Sequence, residues 1–310
     1  MKSSAVPRAE VSELVTLRDV LRYAVSVFSA SGLHYGHGSA TPLDEAVFLI
    51  LETLHLPVDD FNAFADARLT GREKKLLGER IAERIEKRLP AAYITGRTYL
   101  VGVPFRSDAR ALAPRSFIAD LLSSSLFDGS GQGLSLVDDP EQVTSVLDLC
   151  TGGGSLAVLA AYAFPNAEID AADLSAEALS LAAENIADHG MDDRITLLQG
   201  DLFEAVAGRT YDLIITNPPY VGREVMEALP QEFRHEPALA LDGGEDGFDI
   251  VRRIMAGASE HLNPGGGLLC EIGTDREVLD DEYPEMPFLW LDTEGSDGEV
   301  FWLTSEQLSG

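Results

Sequence analysis

The sequence predicts an α/β protein: a mixed seven-stranded sheet with helices on both faces, a small helical domain before it and a β-hairpin link between them. Three observations carry this. From Thr144 onward, short apolar runs alternate with helical stretches. Before Pro90 the sequence reads as helices, with apolar residues over Ser12 to Ala30 at spacings of three and four. Aspartate, glycine and proline gather where the predicted strands end. The predicted division is a helical domain over 1–90, a hairpin link over 91–111 and an α/β domain over 112–310.

Taken in order, Leu14, Leu17, Val20, Leu21, Ala24, Val25 and Phe28 mark one helix over Ser12 to Ala30, broken by Gly32, Gly36 and Gly38. Thr41-Pro42-Leu43-Asp44 supplies an N-cap, a proline at the first helical position and a capping-box acid for a helix to His55. Thr70-Gly71-Arg72-Glu73 opens another, running to Leu89. That helix is polar on most faces, which suits solvent or a docking face for RNA or an acidic partner. Tyr93 to Gly96 and Thr98 to Phe105, with Gly102 near the turn, read as the hairpin, and 128–142 as a loop. Strands follow at Ser145–Leu149, Glu168–Ala172, Arg194–Gln199 and Asp212–Thr216, then at Gly267–Ile272, Phe288–Leu291 and Val300–Leu303. Helices fall at Ser155–Ala163, Ser175–His189 and Asp246–Leu262, the last stopped by Asn263-Pro264-Gly265. The short link between the last two strands suggests an antiparallel pair closing one edge.

Composition excludes several classes. With 310 residues, 45% of them hydrophobic, the chain can bury a core. Two cysteines, Cys150 and Cys270, make neither a disulfide framework nor a four-cysteine zinc site; both are expected as buried thiols on strands. Met1-Lys2-Ser3-Ser4 precedes no apolar run, and the uncharged stretch Leu149 to Ala167 holds Gly152-Gly153-Gly154 and Pro165, so neither a signal nor a membrane span is expected. A cytoplasmic protein is. Residues 1–90 carry 12 basic and 13 acidic groups, and 91–310 carry 11 and 39. A field of that sign repels nucleic acid and attracts cationic partners, although salt adaptation produces the same acidity. Only four of the 23 basic residues are lysines, which fits salt adaptation.

The strand ends carry the chemistry. Asp148-Leu-Cys150-Thr151-Gly152-Gly153-Gly154 follows the first strand and opens a helix, where glycines let backbone approach a ligand and the helix terminus adds positive potential. Asp173 ends the second strand; its carboxylate can grip both hydroxyls of a ribose, or serve the helix start beside Ser175. Asp201-Leu202 ends the third, able to accept from an adenine amino group and pack on its ring. Asn217-Pro218-Pro219-Tyr220 ends the fourth. The Asn217 oxygen and Pro218 carbonyl can accept the hydrogens of a planar nitrogen, the prolines stiffen the backbone, and Tyr220 can stack on the planar group. No histidine cluster suggests a metal; His235, beside Glu236, is a loop residue better read as structural than as a base.

These residues resemble those of class I, Rossmann-like, adenosylmethionine-dependent methyltransferases that methylate planar nitrogen. His235 through Gly247, Pro90-Ala-Ala-Tyr-Ile-Thr-Gly96, Phe105 and Leu112-Ala-Pro-Arg-Ser116 look like the protein glutamine methyltransferases. Arg234-His235 and the ending from Tyr283-Pro284 through Trp290 to Phe301 are most similar to the branch acting on large-subunit ribosomal protein three, rather than its sister acting on release factors. The resemblance is good over Pro90 to Gln307 and loose before it. Gly153 replaces a frequent Ser or Thr, and Asp120 stands where the family usually has Glu and receives no role. The resemblance implies S-adenosylmethionine as cofactor, bound by Asp148, Cys150, Thr151, Gly152, Gly153, Gly154, Asp173, Asp201, Leu202 and Asn217. It implies direct transfer to a glutamine amide nitrogen with no metal, Asn217 and Pro218 being catalytic and Pro219 and Tyr220 completing the substrate site. The implied partner is a basic ribosomal protein, with no stable nucleic acid and no membrane; oligomeric state is undetermined. A nucleic-acid base methyltransferase shares the Asn-Pro-Pro-Tyr logic but needs a basic footprint, and a non-catalytic assembly factor would not need an intact tetrad.

Overall fold

The computed structural model describes residues 8–129 and 134–310. The start Met1–Ser4 and residues 130–133 of the predicted loop lie outside the described residues. The chain divides into two compact units. One comprises the described residues as far as Thr98, with Ser107–Ala109 and Pro230–Glu236; the other comprises Tyr99–Arg106, the described part of Arg110–Leu229, and Pro237–Gly310.

The first unit is helical: α1 (Arg8–Glu13), α2 (Leu17–Ala30), α3 (Pro42–Thr53), α4 (Phe61–Phe64), α5 (Gly71–Lys87) and α6 (Ala91–Thr95). The single helix expected over 12–30 is two. The Thr16 hydroxyl takes the Asp19 N–H while the Asp19 carboxylate takes that of Thr16, so α2 starts there with a capping box. Apolar spacing misses the break because Leu14 packs against the same core as Leu17 and Val20. Thr41 and Thr70 cap α3 and α5 as predicted. Tyr93-Ile94-Thr95, expected in the hairpin, is helical instead: Ala91 and Ile94 bury against the helical core, and Gly96, at φ 73°, ends the turn. The hairpin is β1 (Arg97–Leu100) and β2 (Val103–Arg106), turned by Val101 and Gly102, both in the left-handed region.

An ionic cluster lies inside this unit. Arg84 is fully buried; its Nε meets Glu45 at 2.6 Å and its Nη2 donates to the His34 carbonyl at 2.9 Å. Glu232, equally buried, accepts the His34 N–H at 3.0 Å and pairs with Arg88 at 2.6 Å. Pro230–Glu236, distant in sequence, is thereby held in the helical unit.

The second unit contains α7 (Phe117–Leu122), β3 (Ser145–Leu149), α8 (Ser155–Ala163), β4 (Glu168–Asp173), α9 (Ala176–Asp188), β5 (Ile195–Gln199), β6 (Tyr211–Thr216), α10 (Arg223–Ala228), α11 (Asp249–Ala258), β7 (Leu262–Glu271), α12 (Glu277–Glu282), β8 (Leu289–Thr293), β9 (Ser296–Thr304) and α13 (Ser305–Leu308). Among the described residues the sheet has seven strands in the order β5-β4-β3-β6-β7-β9-β8. The first five are parallel, and β9 runs antiparallel to both β7 and β8, the edge pair the sequence suggests. Neighbouring residues of β3 serve opposite faces: Val146 joins one core with α7 and α8, Leu147 another with α11. Burial on both faces explains why the central strands β3 and β6 are largely apolar. Asn263-Pro264-Gly265, expected as a stop, lies inside β7, where the register against β6 shifts.

Register aligns the strand ends. Leu149 pairs with Ala172 and Thr216, and Thr216 with Cys270. The chain passes from β3 to β4 on one side and later returns to β6 on the other, a switch point that opens a crevice at the carboxyl edge.

Candidate active site at the carboxyl edge of the sheet

The turn after β3 takes the left-handed region at Cys150, Gly152 and Gly154. A Cβ on Gly154 would meet that of Ala182 at 3.0 Å, so that glycine is required by packing as well as by φ. Cys150 stands one residue beyond the strand and is half-buried, which corrects the expectation of a buried strand thiol; Cys270 is buried within β7 as expected. Asp148 is fully buried, its Oδ2 accepting the Thr151 hydroxyl at 2.6 Å. Burial pushes its carboxyl up to about 7, with nearby Asp173 acting in the same direction. Asp148 Oδ1 has no hydrogen-bond partner among the described residues.

Asp173 ends β4, half-buried. Its Oδ2 accepts the Gly152 N–H and its Oδ1 the Ser175 N–H, each at 2.8 Å. Burial raises its pKa against the pull of those N–H groups. Ser175, not Asp173, caps α9 through the Ala178 N–H. Each Asp173 oxygen keeps a lone pair for a further donor. Asp201 is more exposed and pairs with Arg253 at 2.8 Å; Leu202, at φ 50°, packs half-buried on the sheet.

Asn185 is one residue that sequence reasoning missed. Almost fully buried in α9, it donates to the Gly153 carbonyl at 2.8 Å and accepts the Arg106 N–H at 2.7 Å, bracing the glycine turn. An amide on the apolar face of an amphipathic helix was the available signal.

The tetrad begins where the Thr216 hydroxyl donates to the Leu149 carbonyl at 2.9 Å, tying the ends of β6 and β3 together. Asn217 Nδ2 donates to the Arg115 carbonyl at 3.3 Å, which leaves Oδ1 as the acceptor end of the amide. Pro218 is buried, and Pro219 and Tyr220 are half-buried. The segment Leu241–Gly247 straps the tetrad down: Val221 N–H donates to Leu241 and Gly243 N–H returns to Val221, at 2.8 and 2.9 Å. A Cβ on Gly243 would sit 2.8 Å from Tyr220 Cα, and Gly244, at φ 95°, packs on Asp249, which accounts for the glycine pair in that segment.

Glu271, at the end of β7, is a second missed residue. It is 2% exposed, and its Oε2 accepts the Ser116 hydroxyl at 2.5 Å and the Phe117 N–H at 2.9 Å. Burial pushes its carboxyl up to about 7. Its signal was an acid within the otherwise apolar predicted strand Gly267–Ile272. His235 belongs to the helical unit, where its ring bonds the Lys87 carbonyl at 3.0 Å. Among the described residues no group of His, Cys, Asp or Glu is arranged to hold a metal, and no helix is long and apolar enough to cross a membrane.

Residues 127–245 match the family described as methyltransferase small domain. The chain is 55% identical to the ribosomal protein uL3 glutamine methyltransferase of Bradyrhizobium diazoefficiens, over 96% of this chain and 92% of that one. It is 50% identical to the enzyme of the same description from Bordetella pertussis and 49% identical to that from Neisseria gonorrhoeae, each over 96% of this chain and 97% of the relative. The sheet is the class I, Rossmann-like methyltransferase fold. With about half of its residues shared along nearly the whole length, the chain belongs to the ribosomal protein uL3 glutamine methyltransferase family.

Proposed function

We propose that this protein transfers a methyl group from S-adenosylmethionine to the side-chain amide nitrogen of a glutamine in large-subunit ribosomal protein uL3, in the cytoplasm. The observation that carries the reading is the anchored Asn217: one of its two N–H donors is bonded to the Arg115 carbonyl, which orients the amide and presents its oxygen as an acceptor. The Asn217 oxygen and the Pro218 carbonyl take the hydrogens of the substrate amide, and Tyr220 stacks on its plane. Those contacts strengthen as the nitrogen becomes more positive, so they favour the transition state over the ground state. They also orient a weakly nucleophilic nitrogen, whose lone pair is delocalised, for in-line attack.

The residues fit the cofactor. Nothing within 4 Å would obstruct a Cβ at Gly152, so the turn has room in front of it. Asp173 retains lone pairs for two ribose hydroxyls, and Asp148, with an unpartnered buried oxygen, suits a cationic group. Cys150, Thr151, Gly153 and Gly154 complete the turn, while Asp201 and Leu202 bound the base. When bound, S-adenosylmethionine supplies a methyl group made electrophilic by its sulfonium. In this reading residues 1–90 recognise substrate, 91–111 link, and 112–310 carry out transfer. The acidity of 91–310 complements a basic ribosomal protein and speeds encounter.

The test is methylation of purified uL3 and purified release factor, followed by peptide mass spectrometry. One methyl group on a uL3 glutamine is expected, with efficiency falling as salt rises while circular dichroism shows an unchanged fold. Asn217→Ala should keep cofactor affinity within a few-fold and lose on the order of 100-fold or more in turnover. A folded enzyme that modifies release factor faster than free uL3 overturns the substrate assignment, and an Asn217→Ala enzyme with wild-type turnover overturns the tetrad's role.

A further inference from the structure

Glu271 takes no part in the chemistry above, yet burying it is costly. A carboxylate at 2% exposure with only neutral donors gives up its hydration for two hydrogen bonds. Ser116 already caps the first turn of α7, its hydroxyl oxygen accepting the Ile118 N–H at 3.2 Å, and Glu271 takes the Phe117 N–H that this cap leaves open. What Glu271 adds is direction. It receives both the Ser116 hydroxyl and the Phe117 N–H on one oxygen, pinning the side chain of Ser116 and the peptide that follows it. The peptide on the other side of Ser116 carries the Arg115 carbonyl, and that carbonyl accepts from Asn217 Nδ2. The strands share the same brace: Glu271 follows Cys270, which pairs with Thr216, the residue before Asn217.

We propose that Glu271 is a positioning residue for methyl transfer: by clamping Ser116 and Phe117 to the end of β7, it fixes the Arg115 carbonyl that orients the Asn217 amide. The proposal rests on the reading of Asn217 as the acceptor of the substrate amide. A rigid clamp matters there because the Asn217 contact is long, at 3.3 Å, and a carbonyl free to swing would let the amide rotate and offer its N–H to the substrate. Tolerances in such sites are tight: a displacement of about 1 Å can cost on the order of 100-fold in rate.

The experiment uses the full-length enzyme with uL3 and S-adenosylmethionine, measuring kcat, the KM for each substrate and thermal unfolding of every variant. Glu271→Ala should lower kcat by about 10–100-fold and leave the KM for S-adenosylmethionine within a few-fold. Glu271→Gln, whose amide oxygen accepts the same two hydrogens, should restore kcat to within about fivefold of wild type. Ser116→Ala, which leaves Glu271 bonded to Phe117, should lose about 3–10-fold in kcat, and it carries the test if Glu271→Ala does not fold. On an Asn217→Ala background, Glu271→Ala should cost no more than about twofold further, because the two act through one group. A folded Glu271→Ala enzyme with wild-type kcat overturns the proposal, as does a loss undiminished on the Asn217→Ala background; if Glu271→Ala does not fold, wild-type kcat in Ser116→Ala does so. Wild-type turnover in Asn217→Ala alone overturns the reading of the tetrad and this proposal with it, whereas an impaired Asn217→Ala beside a fully active Glu271→Ala overturns only the role of Glu271.

Discussion

Glu232 in the helical unit and Glu271 in the sheet unit are both buried carboxylates, held by opposite means. Glu232 meets Arg88 at 2.6 Å and Arg84 at 3.8 Å. Burial pushes its pKa up, but the His34 N–H and Arg88 help outweigh it and hold the acid below the ordinary glutamate range. Glu45 sits in the same cluster, and there burial wins over Arg84 and raises the pKa. In the sheet unit, Asp148, Asp173 and Glu271 have no cationic partner among the described residues; hydroxyls and N–H groups hold them, and all three are shifted upward by burial. Acids neutralised by arginine bind a distant segment to the helical unit. Acids left without a cation stand at the carboxyl edge of the sheet, the edge where the cofactor is proposed to bind. The difference separates acids paired with arginine from acids held by neutral donors alone.

The largest expected effect breaks the first half of that contrast. Arg84→Met removes the cation beside Glu45 and one of the two beside Glu232, leaving buried negative charge under-compensated, and should cost about 3–5 kcal/mol. Denaturant unfolding followed by circular dichroism measures it; an unchanged midpoint would mean that the arginine compensates nothing.

The second half predicts a pH dependence. In the fold Asp148 holds its proton to about pH 7, while an ordinary aspartate in the unfolded chain releases it near 4. Between those values the folded state binds more protons, so this contribution to stability falls as pH rises. Glu271, raised by burial and by nearby Glu299, acts with the same sign. Asp148→Asn should therefore stabilise the protein more at pH 8 than at pH 5, by an amount on the order of 2 kcal/mol or more at about 1.4 kcal/mol per pKa unit. Parallel unfolding curves for the two proteins across that range would contradict it.

Asp173→Ala tests the acid proposed to hold the ribose. Losing charged acceptors for two hydroxyls should weaken S-adenosylmethionine binding by about 10–100-fold. Isothermal calorimetry giving wild-type affinity would remove Asp173 from the cofactor site.

The smallest effect concerns the turn itself. A Cβ at Gly153 would make ordinary contacts, 3.4 Å from Leu181 and 3.6 Å from Asn185, so Gly153→Ala should change stability by no more than about 0.5 kcal/mol. Gly154→Ala combines a φ of 79° with a 3.0 Å approach to Ala182 and should cost about 1–3 kcal/mol. Thermal melts of the two variants should differ visibly; equal melts would mean the turn relaxes freely.

Local sequence features set the α/β alternation, the seven sheet strands with their antiparallel edge pair, and the turns at Asp148–Gly154, Asp173 and Asn217–Tyr220. Those features are local: strand length, glycine and proline placement and helix caps are written within a few residues of where they act. Tertiary structure alone decided the rest. The break at Thr16 leaves the apolar spacing intact, and Tyr93-Ile94-Thr95 has strand-like residues that a helical core overrides. Glu232 joins the helical unit across 198 residues to His34, Glu271 reaches Ser116 across 155, and Asn217 is oriented by Arg115 across 102. No periodicity encodes such pairings. They exist because the sheet register brings strand ends together and because a buried polar group must find its partner wherever the fold places one.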